Sequence, residues 1–271
     1  MEKGKVHTIL KNIRQVNPLI YNMTAVHDAS LTANGLLALG ASPIIDGSVE
    51  EAAELASKAG AVILTINWSD RESFEKITTA GKAANKHGIP LILNAAGANF
   101  SLFRRQQSQQ LLKRISVSAI RGDAFEIAHL IKEDRGDSGE RSEAFTSNKS
   151  QLALLAAKKL STIIVMTGRE QFISDGISTY TVHNGDALLA KVSAASSLLS
   201  AIIGSCAAVE ENLFEAAVSA LMINGVAAEI AANKTEGQGP GNFQIEFIDQ
   251  LSLLSSSEID LYGSFAQYEK A

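Results

Sequence analysis

The feature that most constrains this chain is a regular alternation of two kinds of segment. Short aliphatic and β-branched runs, PLIYNMTA (18–25), SPIID (42–46), AVILTIN (61–67), IPLILNA (89–95), SAIRG (118–122) and TIIVMTG (162–168), read as strands. Between them lie stretches with helical periodicity at 30–40, 48–60, 69–88, about 102–114, 123–132 and 151–160. Strands joined by helices are joined in parallel, and the crossover helices must cover the sheet. The expected fold class is therefore α/β: a three-layer αβα sandwich with a mostly parallel central sheet.

Local signals place the element ends. Gly40 closes the helix at 30–40, and Ser48 with Glu51 three residues on reads as a capping box for 48–60, which ends on Lys58 and Gly60. The helix at 69–88 carries acids early and bases late, which suits its macrodipole. QFISDGISTYTVHN (171–184) reads as a hairpin turning on SDGIS. After a strand-like Ala190-Lys191-Val192, helices are expected at about 196–208 and 211–232. A glycine-rich loop (234–243), a last helix and a polar tail follow. The segment 132–150 is polar and without apolar period, a surface excursion. No repeat or linker divides the chain, so residues 1–271 read as a single domain.

Composition excludes some function classes. With 46% apolar and 20% charged residues, a sizeable core is available. A formal net charge of −5 argues against nucleic acid or an anionic membrane surface as partner. One cysteine, Cys206, rules out an intramolecular disulfide and suits a cytoplasmic setting. The N-terminal segment has no apolar signal core, and no uninterrupted apolar run approaches the ~18 residues of a membrane span.

In parallel sheets, ligands bind beyond the carboxyl ends of the strands. The segments to inspect are Asp46, Asn67, Asn94-Ala-Ala-Gly-Ala, Arg121 to Glu126, Thr167-Gly168 and the turn at 193–197. NAAGAN (94–99) is either a ligand-approach loop or a plain tight turn. In IRGDAFEI (120–127), Asp123 and Glu126 have the spacing of a capping box; the functional alternative puts Glu126 on a metal or water and Arg121 on phosphate. Thr167-Gly168 sits where a nucleotide phosphate could lie. No GxGxxG, Walker A or HExxH pattern occurs, the five histidines lack ligand spacing, and Met23 and Met166 read as core fillers. Cys206 lies nine residues past Ser197 in a presumed helix, about 13 Å further along the axis, and reads as a buried apolar residue.

The turn at 193–197, Ser-Ala-Ala-Ser-Ser, precedes a long apolar helix. A helix N-terminus offers backbone N–H groups to an anion, but such turns ordinarily rely on glycine for close approach and positive φ. Here there is none.

Read in order, YNMTAVHDASLTANGLLALGASPII, AGKAANKHGIPLILNAAGA, AIRGDAFEI, VMTG, ISDG and GPGNFQ resemble the hydroxyethylthiazole kinase family of thiamine salvage, within the ribokinase-like superfamily. The resemblance spans about residues 7–250. It implies a ribokinase-like αβα sandwich, usually a homotrimer with sites between subunits. The implied reaction moves the γ-phosphoryl of ATP to the alcohol of 4-methyl-5-(2-hydroxyethyl)thiazole with Mg²⁺. By resemblance Arg121, Thr167 and Gly168 fall at nucleotide-contacting positions, Glu126 and Asn94 at metal-linked positions, and Asn22, Ile45 and Ala194 along the thiazole pocket.

Three departures fall on the chemistry. Asn94 stands where the family usually has Asp, and Ile45 where it usually has Met. Ala194-Ala195-Ser196-Ser197 replaces Gly-Thr-Gly-Cys, the anion-hole turn and the base position. An unassisted serine hydroxyl does not ionise near neutral pH, so the resemblance with these departures implies a kinase of reduced or altered activity. The second reading is an impaired homologue that binds nucleotide or thiazole as a binding or regulatory subunit.

Overall fold

The computed structural model describes residues 1–66, 71–131 and 148–268. Nine strands form one sheet: β1 (Leu19–Met23), β2 (Ser42–Ile45), β3 (Ala61–Thr65), β4 (Leu91–Asn94), β5 (Ala119–Gly122), β6 (Ile163–Met166), β7 (Gln171–Ser174), β8 (Thr179–Val182) and β9 (Phe265–Gln267). Their order is β2-β1-β3-β4-β5-β6-β7-β8-β9. The pairs from β2 to β6 are parallel, and those from β6 to β9 antiparallel. The chain leaves β1 toward β2 at one edge, then crosses back to β3 on the other side. The reversal between β1 and β3 is a topological switch point, where a crevice opens at the strands' carboxyl ends.

The sheet is covered on both faces, and strand alternation divides the core in two. Ala61 and Ile63 of β3 join one apolar cluster, with helices Lys3–Val16, Ala29–Leu39, Ala195–Ala207, Leu213–Lys234 and Pro240–Leu253. Val62 and Leu64 join the other, with helices Ala52–Lys58, Arg71–Lys86, Ala124–Ile131 and Lys149–Leu160. Period two in a strand sends successive side chains to opposite faces. Met23 and Met166 fill the core as expected. Leu213–Lys234 is long and apolar enough to cross a membrane, but 78% of its apolar window is buried within the fold.

Several expectations need correcting. Lys3–Val16 is a helix the sequence reading did not assign; its buried Val6, Ile9, Leu10 and Ile13 follow helical spacing. The helix expected at 48–60 begins only at Ala52, because the box does not form: the Ser48 side chain engages Glu50, while Glu51 accepts the Ser48 N–H at 2.7 Å. Gly60 is not its cap. It lets strand and helix approach, since a Cβ there would lie 3.1 Å from the Ala208 Cβ. Residues 187–191 form a 3₁₀ turn rather than the approach to a strand. The loop at 234–243 is cut short by a helix starting at Pro240, whose fixed φ suits a first turn. The polar tail contains a further helix, Ser256–Tyr262, and β9, which closes on β8. Most of the 132–150 excursion, and Asn67, lie outside the described residues.

Candidate functional site at the switch point

The sheet register lines up the expected residues along one edge. Asn22 of β1 faces Ile45 of β2 on one side and Ile63 of β3 on the other. Asn94 lies between Thr65 and Arg121. Asn22 is fully buried, and neither its amide nitrogen nor its amide oxygen has a partner among the described residues. The Asn94 Nδ2 is likewise buried and unpartnered. A buried polar group without a partner costs about 1–3 kcal/mol, so two such residues along the carboxyl edge of one sheet, with β3 between them, point to a missing ligand.

Arg121 donates from Nη2 to the Thr167 hydroxyl at 2.8 Å, and its Nη1 lies 3.5 Å from Asn94 Oδ1. Its Nε has no partner. Burial lowers the Arg121 pKa, while Glu126 and Asp123 oppose that shift, so the guanidinium is held charged in a desolvated place. Gly168, beside it, has no positive φ, and an added Cβ would meet only ordinary contacts, so no backbone strain demands glycine there.

Asp123 and Glu126 form the capping box the spacing predicts: the Glu126 N–H donates to Asp123 Oδ1 and the Asp123 N–H to Glu126 Oε2, both at 2.8 Å. Glu126 does more than cap, because its Oε1 accepts the Gly97 N–H at 3.0 Å and ties the 94–99 loop to this helix. Burial, with help from Asp123, raises the Glu126 pKa. At the sheet edge the Lys76 ammonium contacts Asp46 and the Gly47 carbonyl. Asp46 itself is left-handed at φ 58°. The adjacent Tyr21 hydroxyl is buried, and its pKa is pushed up to about 12 by burial.

The glycine-free turn keeps the conformation that glycine would favour. Ala194 sits at φ 65° and ψ −2°, and helix Ala195–Ala207 starts immediately after it. The Ala195 N–H donates to Val192 O at 3.3 Å and the Leu198 N–H to Ala194 O at 2.8 Å. The Ser196 and Ser197 N–H groups have no partner among the described residues, and no side chain caps the helix. The helix runs antiparallel to the strands: Gly204 packs on Ile63 and Ala61 near the start of β3, whereas Ser197 meets Thr24 just past β1. Its open N-terminus therefore faces the switch-point crevice.

Ser197 is not the unassisted hydroxyl that the sequence implies. It is 2% exposed and donates to Asp28 Oδ2 at 2.6 Å, while the Thr24 hydroxyl donates to Ser197 Oγ at 3.4 Å. His27 Nε2 lies 3.4 Å from Asp28 Oδ1. Sequence reasoning missed Asp28 and Thr24. The available signal was an acid directly before a helix, which ordinarily spends its carboxylate on the cap. Here Asp28 makes no side-chain cap.

Cys206 is fully buried in the same helix, with its pKa raised by burial, as an inert core residue. No cluster of three or more His, Cys, Asp or Glu side chains able to hold a metal by themselves occurs among the described residues. A separate open cavity of about 680 Å³, lined by Lys149, Phe172, His183 and Tyr268, lies at the antiparallel side of the sheet.

The model of the hydroxyethylthiazole kinase family matches residues 10–257. A hydroxyethylthiazole kinase protein from Pyrococcus horikoshii OT3 is 32% identical, superposes with a TM-score of 0.88, and the match covers 97% of this chain and 99% of that one. More distant structures share the fold alone. A ribokinase-like superfamily protein from Enterococcus faecalis has a TM-score of 0.63 at 10% identity, over 94% of this chain and 96% of its own. An ADP/ATP-dependent NAD(P)H-hydrate dehydratase from Bacillus subtilis, co-crystallised with ATP and Mg²⁺, has a TM-score of 0.61 at 15% identity, over 94% and 92%.

Proposed function

The chain belongs to the hydroxyethylthiazole kinase family, and we propose that it transfers the γ-phosphoryl group of ATP to the alcohol of 4-methyl-5-(2-hydroxyethyl)thiazole. The observation that carries the reading is that an open helix N-terminus, a desolvated Arg121, the unpaired Asn22 amide and the unpaired Asn94 Nδ2 all lie at the carboxyl edge of the sheet. Phosphoryl transfer needs little covalent help and depends on positioning and charge stabilisation. In this reading Arg121 and Thr167 hold the nucleotide phosphates. The Ser196 and Ser197 N–H groups face the phosphoryl oxygens where charge develops. Asn22 hydrogen-bonds the heterocycle, and Ile45 packs on it.

Mg²⁺ takes oxygen ligands and needs only one or two protein carboxylates when phosphates and waters complete the shell. The donor set fits this. Asn94 Oδ1 at the end of β4 and Glu126 in the first turn of the helix after β5 are oxygen donors, and the 94–99 loop that follows Asn94 is tied to Glu126 through the Gly97 N–H. When bound, the ion would neutralise phosphate charge. With Asn94 in place of an acid, its hold rests on one carboxylate.

The reading includes a rate below that of a glycine-lined hole, because the Ala194 and Ala195 methyls restrict the turn. It also includes cytoplasmic function as a single domain, and a homotrimer, with β2 and Ile45 at the open sheet edge where a neighbour could complete the thiazole pocket. The family membership supports the trimer, and light scattering that returned a monomer at micromolar concentration would remove it. The central test is ADP release with Mg²⁺ and ATP, with and without the thiazole alcohol, together with detection of the phosphorylated alcohol. Nucleotide binding without alcohol-dependent turnover would instead support the binding-subunit reading.

A further inference from the structure

We propose that Asp28 is the proton acceptor for phosphoryl transfer in this chain, reached through the Ser197 hydroxyl. The proposal rests on the kinase reading above. Position 197 carries neither an acid nor a thiol, yet the alcohol must lose a proton as it is phosphorylated. Ser197 Oγ has one proton and two lone pairs. The proton is committed to Asp28 Oδ2 at 2.6 Å, and one lone pair faces Thr24 at 3.4 Å. The second lone pair is available to accept a substrate hydroxyl. That hydroxyl would lie beside the unpartnered Ser196 and Ser197 N–H groups, where the phosphoryl group is held. The Asp28 carboxylate is only 13% exposed and is diverted from the cap of the helix it precedes.

The step balances. The alcohol oxygen forms a bond to the γ-phosphorus, and the bond from that phosphorus to the bridging oxygen breaks, its electron pair leaving with ADP. The alcohol proton passes to Ser197 Oγ as the Ser197 proton passes to Asp28 Oδ2, which becomes neutral and later returns the proton to water. Ser197 is unchanged over the cycle.

Among the described residues, His27 is the titratable side chain beside Asp28, its Nε2 3.4 Å from Oδ1. The helices packed here, Ala29–Leu39 and Ala195–Ala207, carry no charged side chain, and Cys206 lies at the far end of the second. Helix Pro240–Leu253, packed on Ala29–Leu39, brings Glu246, which is paired with Lys234, and Asp249.

The test uses the full chain with Mg²⁺, ATP and the thiazole alcohol. Asp28→Asn should lower kcat about 10²–10⁴-fold, leave the affinity for a non-hydrolysable ATP analogue unchanged, and abolish the fall of kcat/KM at low pH. Asp28→Glu should recover part of the loss. Ser197→Cys in the Asp28→Asn background should restore turnover, because a thiol ionises far more readily than an alcohol and needs no carboxylate behind it. An Asp28→Asn chain that keeps native kcat overturns the proposal while leaving the kinase reading intact. So does a loss that keeps the native pH profile and is not rescued by the thiol, since that is the mark of a structural tie between two helices. A native chain with no alcohol-dependent turnover sinks the kinase reading, and the proposal falls with it.

Discussion

Ala194 and Ala195 allow the strain of the glycine-free turn to be measured by one substitution made twice. Both residues are 8% exposed, so either change to glycine loses the same buried methyl, about 0.8 kcal/mol. Both also give the unfolded chain the same extra freedom, about 0.5–1 kcal/mol. They differ in backbone: Ala194 is left-handed at φ 65°, whereas Ala195 is the first helical residue. A left-handed L-residue costs about 1–2 kcal/mol that glycine does not bear. Ala195→Gly should therefore destabilise the protein by about 1.3–1.8 kcal/mol. In Ala194→Gly the relief offsets the losses, leaving stability within about 1 kcal/mol of the native chain. At about 2–4 °C per kcal/mol for a chain of this size, the strain of about 1–2 kcal/mol should set the two variants' melting points roughly 2–8 °C apart, Ala195→Gly lower. Thermal unfolding by circular dichroism without ligand reads this directly. If Ala194→Gly melts as low as Ala195→Gly, the left-handed strain assigned to the turn is absent.

Three further outcomes follow from the site. Arg121→Ala should weaken ATP binding by about 1.5–3 kcal/mol, the worth of a charge-assisted hydrogen bond, and unchanged calorimetric affinity would remove Arg121 from the nucleotide site. Glu126→Gln should destabilise the protein at acid pH by about 1–3 kcal/mol, because Gln cannot accept both the Gly97 and Asp123 N–H groups. The Glu126 pKa is raised on folding, so the native state binds the extra proton; stability from that group is full below the ordinary glutamate value near ~4.3 and is lost as pH rises through the raised value. The gap between native and Gln chains should then narrow with rising pH in denaturant titrations free of divalent cation, and a constant gap would contradict it. Cys206, buried with its thiol pKa raised, should resist thiol reagents in the folded protein and react once it is unfolded; rapid labelling of the native chain would show that this helix opens.

Much of the frame was legible because its signals are local. Alternating runs located β1 to β6 within a few residues, and the hairpin turn at SDGIS formed around Gly176 at φ 89°. The three-residue spacing of Asp123 and Glu126 led to a real capping box. Asn94, Arg121 and Thr167 could be placed together because each ends a strand, and parallel strands bring their ends to one edge. The helix Lys3–Val16 does not stand out because polar and charged residues separate most of its buried positions Val6, Ile9, Leu10 and Ile13, and β9 because three residues carry too little period.

The sequence by itself therefore determined the layered fold, the edge at which chemistry can occur, and the inertness of Cys206. It could not determine what stands beside Ser197. Asp28 is 169 residues away, and the two meet only because helix Ala195–Ala207 crosses the sheet with its N-terminus over the end of β1. Nor could it show that Ala194 adopts a left-handed backbone, since alanine gives no local preference for one; the packing on both sides of the turn imposes it. Periodicity and capping act within a few turns of chain and can be read there. A hydrogen bond between a serine and a carboxylate 169 residues apart depends on strand order and helix direction, which only the folded structure sets.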